Sequence, residues 1–283
     1  MSTPEGLLLI DKPTRLTSHD VIDEVRRALG TRKVGHAGTL DPAATGLLVI
    51  GVGRATRLLR FLSDLPKTYE GTMRLGEETD TLDAEGEVIS RTEVAASPDH
   101  LRRAMAGLVG DSMQRPPAYS AVKVAGRKLY EAARQGQTVE AASRPIHVSD
   151  FDLLSCDGRD AAFRVICSSG TYVRVLAADV GSALGCGAHL IRLRRTQIGA
   201  FDVGEATPPG APGEPLPIER AVAHLPALRL EREEAVAAGH GRILGPAGIA
   251  GPYAVFSPEG RLIGIYRDDG AKAMPEMILA PRD

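Results

Sequence analysis

Tryptophan is missing from this 283-residue chain, and aromatic residues make up only 4% of it. A core must therefore come from Leu, Val, Ile and Ala, and each tyrosine gains weight as a stacking surface. Cysteine is scarce too. Cys156, Cys167 and Cys186 are odd in number and show no C-x-x-C spacing, so they indicate neither a disulfide framework nor a zinc site. No second His or Cys stands at metal-ligand spacing from His36, and no metal role is read for it. The pattern G-x-x-x-x-G-K-[ST] is absent and no G-x-G-x-x-G follows a strand, which argues against a nucleotide cofactor. The start, Met1-Ser2-Thr3-Pro4-Glu5-Gly6, lacks the basic region of a signal peptide, and no apolar run is long enough to span a bilayer. These absences favour a cytoplasmic protein.

Charge of one sign is also lacking overall, since the formal net charge is −2. Its distribution is uneven. Arg102, Arg103, Arg115, Lys123, Arg127, Lys128 and Arg134 share their stretch with only Asp111 and Glu131. Arg159, Arg164, Arg174, Arg192, Arg194 and Arg195 form a second basic zone, while acids gather from Glu77 to Glu87. Such segregation fits either a phosphate-binding face or a salt-bridged surface.

An apolar fraction of 43% is enough to bury a sizeable core. Strands are predicted over Gly6–Ile10, Gly46–Val52, Lys67–Leu75, Ala121–Ala125, Ile146–Ser155, Ala161–Ser168 and Ala188–Ile198. Helices are predicted from Thr17 or Ser18 to Leu29, over Arg54–Asp64, from Pro98 to Leu108, over Lys128–Gln135 and over Thr171–Leu184. Glu77–Gly86 reads as an acidic loop, and Gly204–Pro217 as a surface connection. The mixture lacks regular βαβ alternation, so the class is α+β. After Pro226 short segments punctuated by glycine indicate a small β-rich domain, giving units 1–225 and 226–283.

The run Gly35-His36-Ala37-Gly38-Thr39-Leu40-Asp41-Pro42-Ala43-Ala44-Thr45-Gly46 is the richest in chemistry. Its glycines permit a tight backbone path that presents a carboxylate to a ligand. Asp41-Pro42 also suits the first two positions of a helix, and capping and catalysis are compatible.

This run closely resembles the catalytic motif of the TruB family, the tRNA pseudouridine-55 synthases. Further segments agree in order along the chain: Asp11-Lys12-Pro13 with Thr17-Ser18, Lys67-Thr68-Tyr69, Gly170-Thr171-Tyr172-Val173-Arg174, and Leu184-Gly185-Cys186-Gly187-Ala188-His189-Leu190 with Leu193-Arg194-Arg195. The match spans roughly residues 6 to 200, with Arg15 standing where the family commonly has Gly and Ala37 where Thr is common.

The resemblance implies a pseudouridine synthase fold, a mixed, largely antiparallel sheet flanked by helices and loops, followed by a PUA-like RNA-binding domain. It implies a cofactor-free, monomeric isomerase that acts on the T-arm of tRNA. Asp41 becomes the essential carboxylate, Arg174 its counter-charge, and Tyr69 the aromatic that packs on the base. Tyr172 and Leu193 line the uracil pocket, and His36 fills the space left by the flipped base. Lys12, Arg32, Lys33, Arg57, Lys128 and Arg134 complete the RNA-binding set, with an insertion around 115–145 clasping the T-arm. That insertion argues against a guide-RNA-dependent relative, and the presence of Asp41, Tyr69 and Arg174 argues against a non-catalytic RNA-binding module.

Overall fold

The computed structural model describes residues 4–120, 123–124, 127–129 and 141–279. The chain opens with β1 (Gly6–Lys12), α1 (Ser18–Leu29), β2 (Val34–His36) and β3 (Thr45–Val52). A 3-10 stretch, Gly53–Leu58, leads into α2 (Leu59–Ser63), then β4 (Lys67–Leu75), β5 (Glu77–Thr79) and β6 (Val88–Arg91). Next come α3 (Pro98–Ala106), β7 (Gly110–Gln114), β8 (Lys123–Val124) and β9 (Arg127–Lys128). A long hairpin, β10 (Arg144–Asp157) and β11 (Asp160–Cys167), precedes α4 (Val173–Ala183), β12 (Ala188–Ile198) and β13 (Phe201–Asp202). The chain closes with β14 (Ala227–Arg229), α5 (Arg232–Gly239), β15 (Pro252–Phe256), β16 (Leu262–Asp269) and β17 (Lys272–Ile278).

Among the described residues the main sheet has nine strands, ordered β1-β3-β12-β4-β11-β10-β7, with β2 beside β3 and β13 beside β12. Its pairings are antiparallel except that of β12 with β3. The fold is thus α+β, as the patterning predicts, and its sheet is mixed and largely antiparallel, as the resemblance implies.

Period-two alternation explains the apolar runs at the β1 edge. Leu7, Leu9, Leu47 and Val49 enter one core, while Leu8, Ile10, Leu48 and Ile50 enter another with Val21, Ile22 and Val25 of α1. That helix starts at a capping box. The Asp20 N–H donates to Thr17 Oγ1 at 3.1 Å, and the Thr17 N–H donates to the Asp20 carboxylate at 2.8 Å. It stops at Gly30, in the left-handed conformation.

Beyond residue 226, β14-β15-β16-β17 form a separate sheet. One face packs with α5 through Tyr253, Val255 and Tyr266, and the other joins the core of Leu58, Leu62 and Val222 through Ala254, Ile265 and Met277.

Several elements differ from the sequence-based expectation. Arg54–Asp64 starts as a 3-10 stretch and turns α-helical only over Leu59–Ser63; its first part lies so close to β3 that a Cβ on Gly51 would meet Ala55 and Thr56 backbone at 3.0 Å. Glu77–Gly86 is not a plain loop; it opens the β5-β6 hairpin, whose turn is closed on Asp83. Of the helix expected over Lys128–Gln135, Lys128 instead pairs with Lys123, and 130–135 lie outside the described residues.

Candidate active site

Glycine shapes the loop between β2 and β3. Gly46 has φ +102°, and a Cβ there would lie 2.3 Å from the Arg195 carbonyl oxygen, so only glycine lets β3 enter beside β12. Ser18 of α1 fixes the loop's middle: the Leu40 N–H donates to Ser18 Oγ at 2.9 Å, and that hydroxyl donates to the Leu40 carbonyl at 3.2 Å. The Asp41 carbonyl then accepts from the Ala44 N–H at 3.1 Å, which closes a single turn. No helix follows Asp41-Pro42, and the carboxylate is left to project from a turn.

It projects into a cavity of about 420 Å³ whose lining includes Tyr69, Tyr172, Arg174 and Leu193. Asp41 and Arg174, remote in sequence, approach to 3.8 Å between Oδ2 and Nη2. The Arg174 side chain is buried whereas that of Asp41 is 57% exposed, so the carboxylate sits at the mouth. Water exclusion around Asp41 is therefore not built into the free protein.

Arg174 leans on Asp83 more closely than on Asp41. Its Nη1 donates to Asp83 Oδ2 at 3.0 Å and to the Thr81 carbonyl at 3.2 Å, and its Nη2 donates to the Tyr119 carbonyl at 2.5 Å. Asp83 is itself held, accepting from Thr81 Oγ1 at 2.6 Å and from the Glu85 N–H at 3.1 Å. Sequence reasoning missed Asp83. The available signal was a carboxylate in a tight turn, followed by Gly86, inside an acidic stretch opposite a basic one.

Tyr69 is buried on β4, paired in register with Arg195 of β12. Burial raises the pKa of its phenol, and the nearby Arg195 guanidinium opposes that rise. Tyr172 caps α4 from outside, its N–H donating to Gln114 Oε1 at 2.7 Å. The Arg144 guanidinium lies 4.7 Å from the centre of the Tyr172 ring. Lys67 also lines the cavity; burial lowers its ammonium to a pKa of about 8.

Other expected site residues lie apart from the cavity lining. His36, on β2, is half-buried; its Nδ1 is buried without a hydrogen-bond partner, and burial lowers its pKa. Arg32 and Lys33 are exposed just before β2. One assignment needs correction. Lys12 is fully buried, and its ammonium donates to the carbonyls of Pro13, Leu16 and Pro42 at 3.0, 2.6 and 3.2 Å, so it braces the loop rather than facing a ligand. Arg57 is exposed and donates to the Ile278 carbonyl at 2.6 Å, which joins the C-terminal sheet to the rest of the chain. Arg134 and the Lys128 side chain lie outside the described residues. Among the described residues, no group of three His, Cys, Asp or Glu is arranged to hold a metal.

A carboxylate–arginine pair thus stands at the mouth of a tyrosine-lined cavity, on a mixed sheet followed by a small β-rich unit. Over 98% of this chain, the fold matches a solved Cbf5-Nop10-Gar1 complex at 28% identity and TM-score 0.76, covering 86% of that chain. It matches an H/ACA RNP bound to a substrate RNA containing 2′-deoxyuridine at 26% identity and TM-score 0.75, again covering 86% of that chain. The family described as TruB family pseudouridylate synthase (N terminal domain) matches residues 26–173. The one described as tRNA Pseudouridine synthase II, C terminal, matches residues 225–280. Proteins named tRNA pseudouridine synthase B from Mycobacterium sp. (strain KMS) and Corynebacterium aurimucosum are 45% and 44% identical, each covering 98% of this chain and 96% of the relative. The chain belongs to the TruB family.

Proposed function

We propose that this protein isomerises the T-loop uridine at position 55 of tRNA to pseudouridine, with Asp41 as the essential carboxylate. The observation that carries the reading is the meeting of Asp41 and Arg174 at one cavity with Tyr69 and Leu193 in its walls. Uracil must leave its ribose, turn, and rejoin through carbon, a rearrangement without net oxidation or reduction. A cavity of about 420 Å³, closed over by the bound RNA, retains the free base between the two bonds. Arg174, fixed by Asp83, orients the Asp41 carboxylate by charge. Tyr69 and Leu193 hold the base from two sides. Because the Asp41 side chain is 57% exposed, the incoming RNA completes the site and displaces its water.

Extruding the base costs a few kcal/mol of unstacking. His36 enters the T-loop and fills the vacated space, while the exposed Arg32 and Lys33 meet phosphate. Residues 1–225 form the catalytic domain and 226–283 a PUA-like RNA-binding domain. The protein acts as a cytoplasmic monomer; among the described residues no helix is long and apolar enough to cross a membrane. The H/ACA neighbours favour a second reading, a guide-dependent subunit, but the relatives named tRNA pseudouridine synthase B are the more similar in sequence.

Purified protein with a tRNA transcript, followed by site-resolved pseudouridine mapping, tests both readings. Conversion at position 55 without guide RNA or added protein is expected. Asp41→Asn should lose at least about a thousandfold in single-turnover rate, a difference of about 4 kcal/mol, while retaining tRNA binding. Full activity in Asp41→Asn would refute the catalytic assignment.

A further inference from the structure

Arg195 is the largest fully buried side chain in the molecule's described part, 1% exposed. Among the described residues no carboxylate lies within ion-pair distance of it, which sets it apart from the carboxylate-paired Arg174 and Arg194. A buried cation without a counter-charge is costly unless its donors are all well used. Here they are spent on the active-site loop. Nε donates to the Leu47 carbonyl at 2.8 Å, Nη1 to the Thr39 carbonyl at 3.3 Å, and Nη2 to the Gly38 carbonyl at 3.2 Å. Both ends of the loop that carries Asp41 are thus tied to one planar fork. The same guanidinium stands close enough to the Tyr69 phenol to oppose the rise in its pKa that burial causes.

Backbone pairing reinforces the arrangement. Arg195 is in register with Tyr69 on one side of β12 and with Gly46 on the other. Three carbonyls from both sides of the Asp41 loop converge on a single residue, whose backbone pairs with β4 at Tyr69.

We propose that Arg195 is a positioning residue for the reaction: its guanidinium sets the Asp41 loop and the Tyr69 ring at a fixed separation across the cavity. The planar fork matters as well as the charge, because a lysine ammonium cannot reach Leu47, Thr39 and Gly38 from one centre in that geometry. This rests on the function proposed above, in which Asp41 and Tyr69 act on one base.

The test compares wild type with Arg195→Lys and Gly38→Ala in full-length protein. Gly38 has φ +98°, so alanine there strains the same loop from its other side. For each protein we would measure thermal unfolding, tRNA affinity, single-turnover rate at saturating enzyme, and amide hydrogen exchange over residues 37–47. Arg195→Lys is expected to bind tRNA within about threefold of wild type, to lose at least a hundredfold in rate, and to show faster exchange confined to the loop. Gly38→Ala should share that signature, and the double variant should be little worse than either single one.

A lower unfolding temperature with an unchanged saturating rate would reduce Arg195 to a structural residue and overturn the proposal. Loss confined to tRNA affinity would overturn it as well. If Arg195→Lys fails to fold, a wild-type rate in Gly38→Ala is the overturning result. Wild-type protein that makes no pseudouridine would instead overturn the proposed function, so the two failures are distinguishable.

Discussion

Replacing Asp83 by asparagine removes one charge and almost no volume, and it isolates what anchors Arg174. The Arg174–Asp83 contact is 3.0 Å, with side-chain exposures of 7% and 17%. Taking one partner from a buried ion pair costs about 3–5 kcal/mol. Asparagine still offers an acceptor oxygen, and the Thr81 and Tyr119 carbonyls remain, so about 2 kcal/mol is the better figure here. For a chain of this length that lowers the unfolding midpoint by about 3 °C. Activity should fall for a separate reason. Asp41, now 3.8 Å away, becomes the nearest carboxylate to the guanidinium. A tightening of that pair by only ~1.4 kcal/mol in the ground state slows the reaction about tenfold. Thermal unfolding and single-turnover pseudouridylation of the same preparation read both effects. A midpoint within about a degree of wild type, with an unchanged rate, would mean that backbone carbonyls alone hold Arg174.

Two further outcomes follow from packing and from burial. A Cβ on Gly71 would lie 2.5 Å from Phe163 Cζ and 2.9 Å from the Arg192 carbonyl, so Gly71→Ala should cost about 1–3 kcal/mol in urea unfolding; a cost under ~0.5 kcal/mol would contradict the tight β4-β11-β12 packing. The folded pKa of Lys67, about 8, lies below its ordinary value of 10.5. Between those values the unfolded chain binds more protons than the folded one, so stability rises with pH across that window and the burial penalty is fully present below it. The wild type should therefore gain about 3 kcal/mol relative to Lys67→Met from about pH 7.5 to about pH 10.5, and a flat difference in urea midpoints would refute the shift.

Local signals made much of this fold legible. The Thr17 cap and Gly30 stop of α1, and the strands over Lys67–Leu75 and Ala188–Ile198, depend on near neighbours and stand in the structure where the sequence predicts them. β7 was not legible, because Gly-Asp-Ser-Met-Gln has no apolar period and becomes a strand by pairing with Arg144–Val148. At the site, Asp41, Tyr69 and Arg174 could be named from motifs, but what holds them could not. The family resemblance pairs Arg174 with Asp41 and names no second carboxylate. Only the docking of the β5-β6 hairpin on β12, through the Leu190 N–H to the Leu82 carbonyl at 3.0 Å, brings Asp83 between them in the hierarchy of contacts. Lys12 shows the reverse error: a lysine in a binding motif reads as a substrate contact until three carbonyls are found around it.

β12 then explains why so distant a set of motifs makes one site. Its parallel pairing with β3 places the exit of the Asp41 loop beside Arg195, and its antiparallel pairing with β4 places Tyr69 there as well. Register irregularities interrupt the β12-β4 ladder between Leu190 and Arg192 and again between Arg195 and Gln197. Bulges bend a strand and re-aim its side chains. Between these two, ordinary alternation puts Leu193 and Arg195 on one face, the first lining the cavity wall and the second tied to the loop. A one-residue slip of β12 would turn both away and withdraw Tyr69's partner in the same move. The Asp41 carboxylate can therefore sit on a glycine-rich loop without being loose, because its position is set by the register of a central strand.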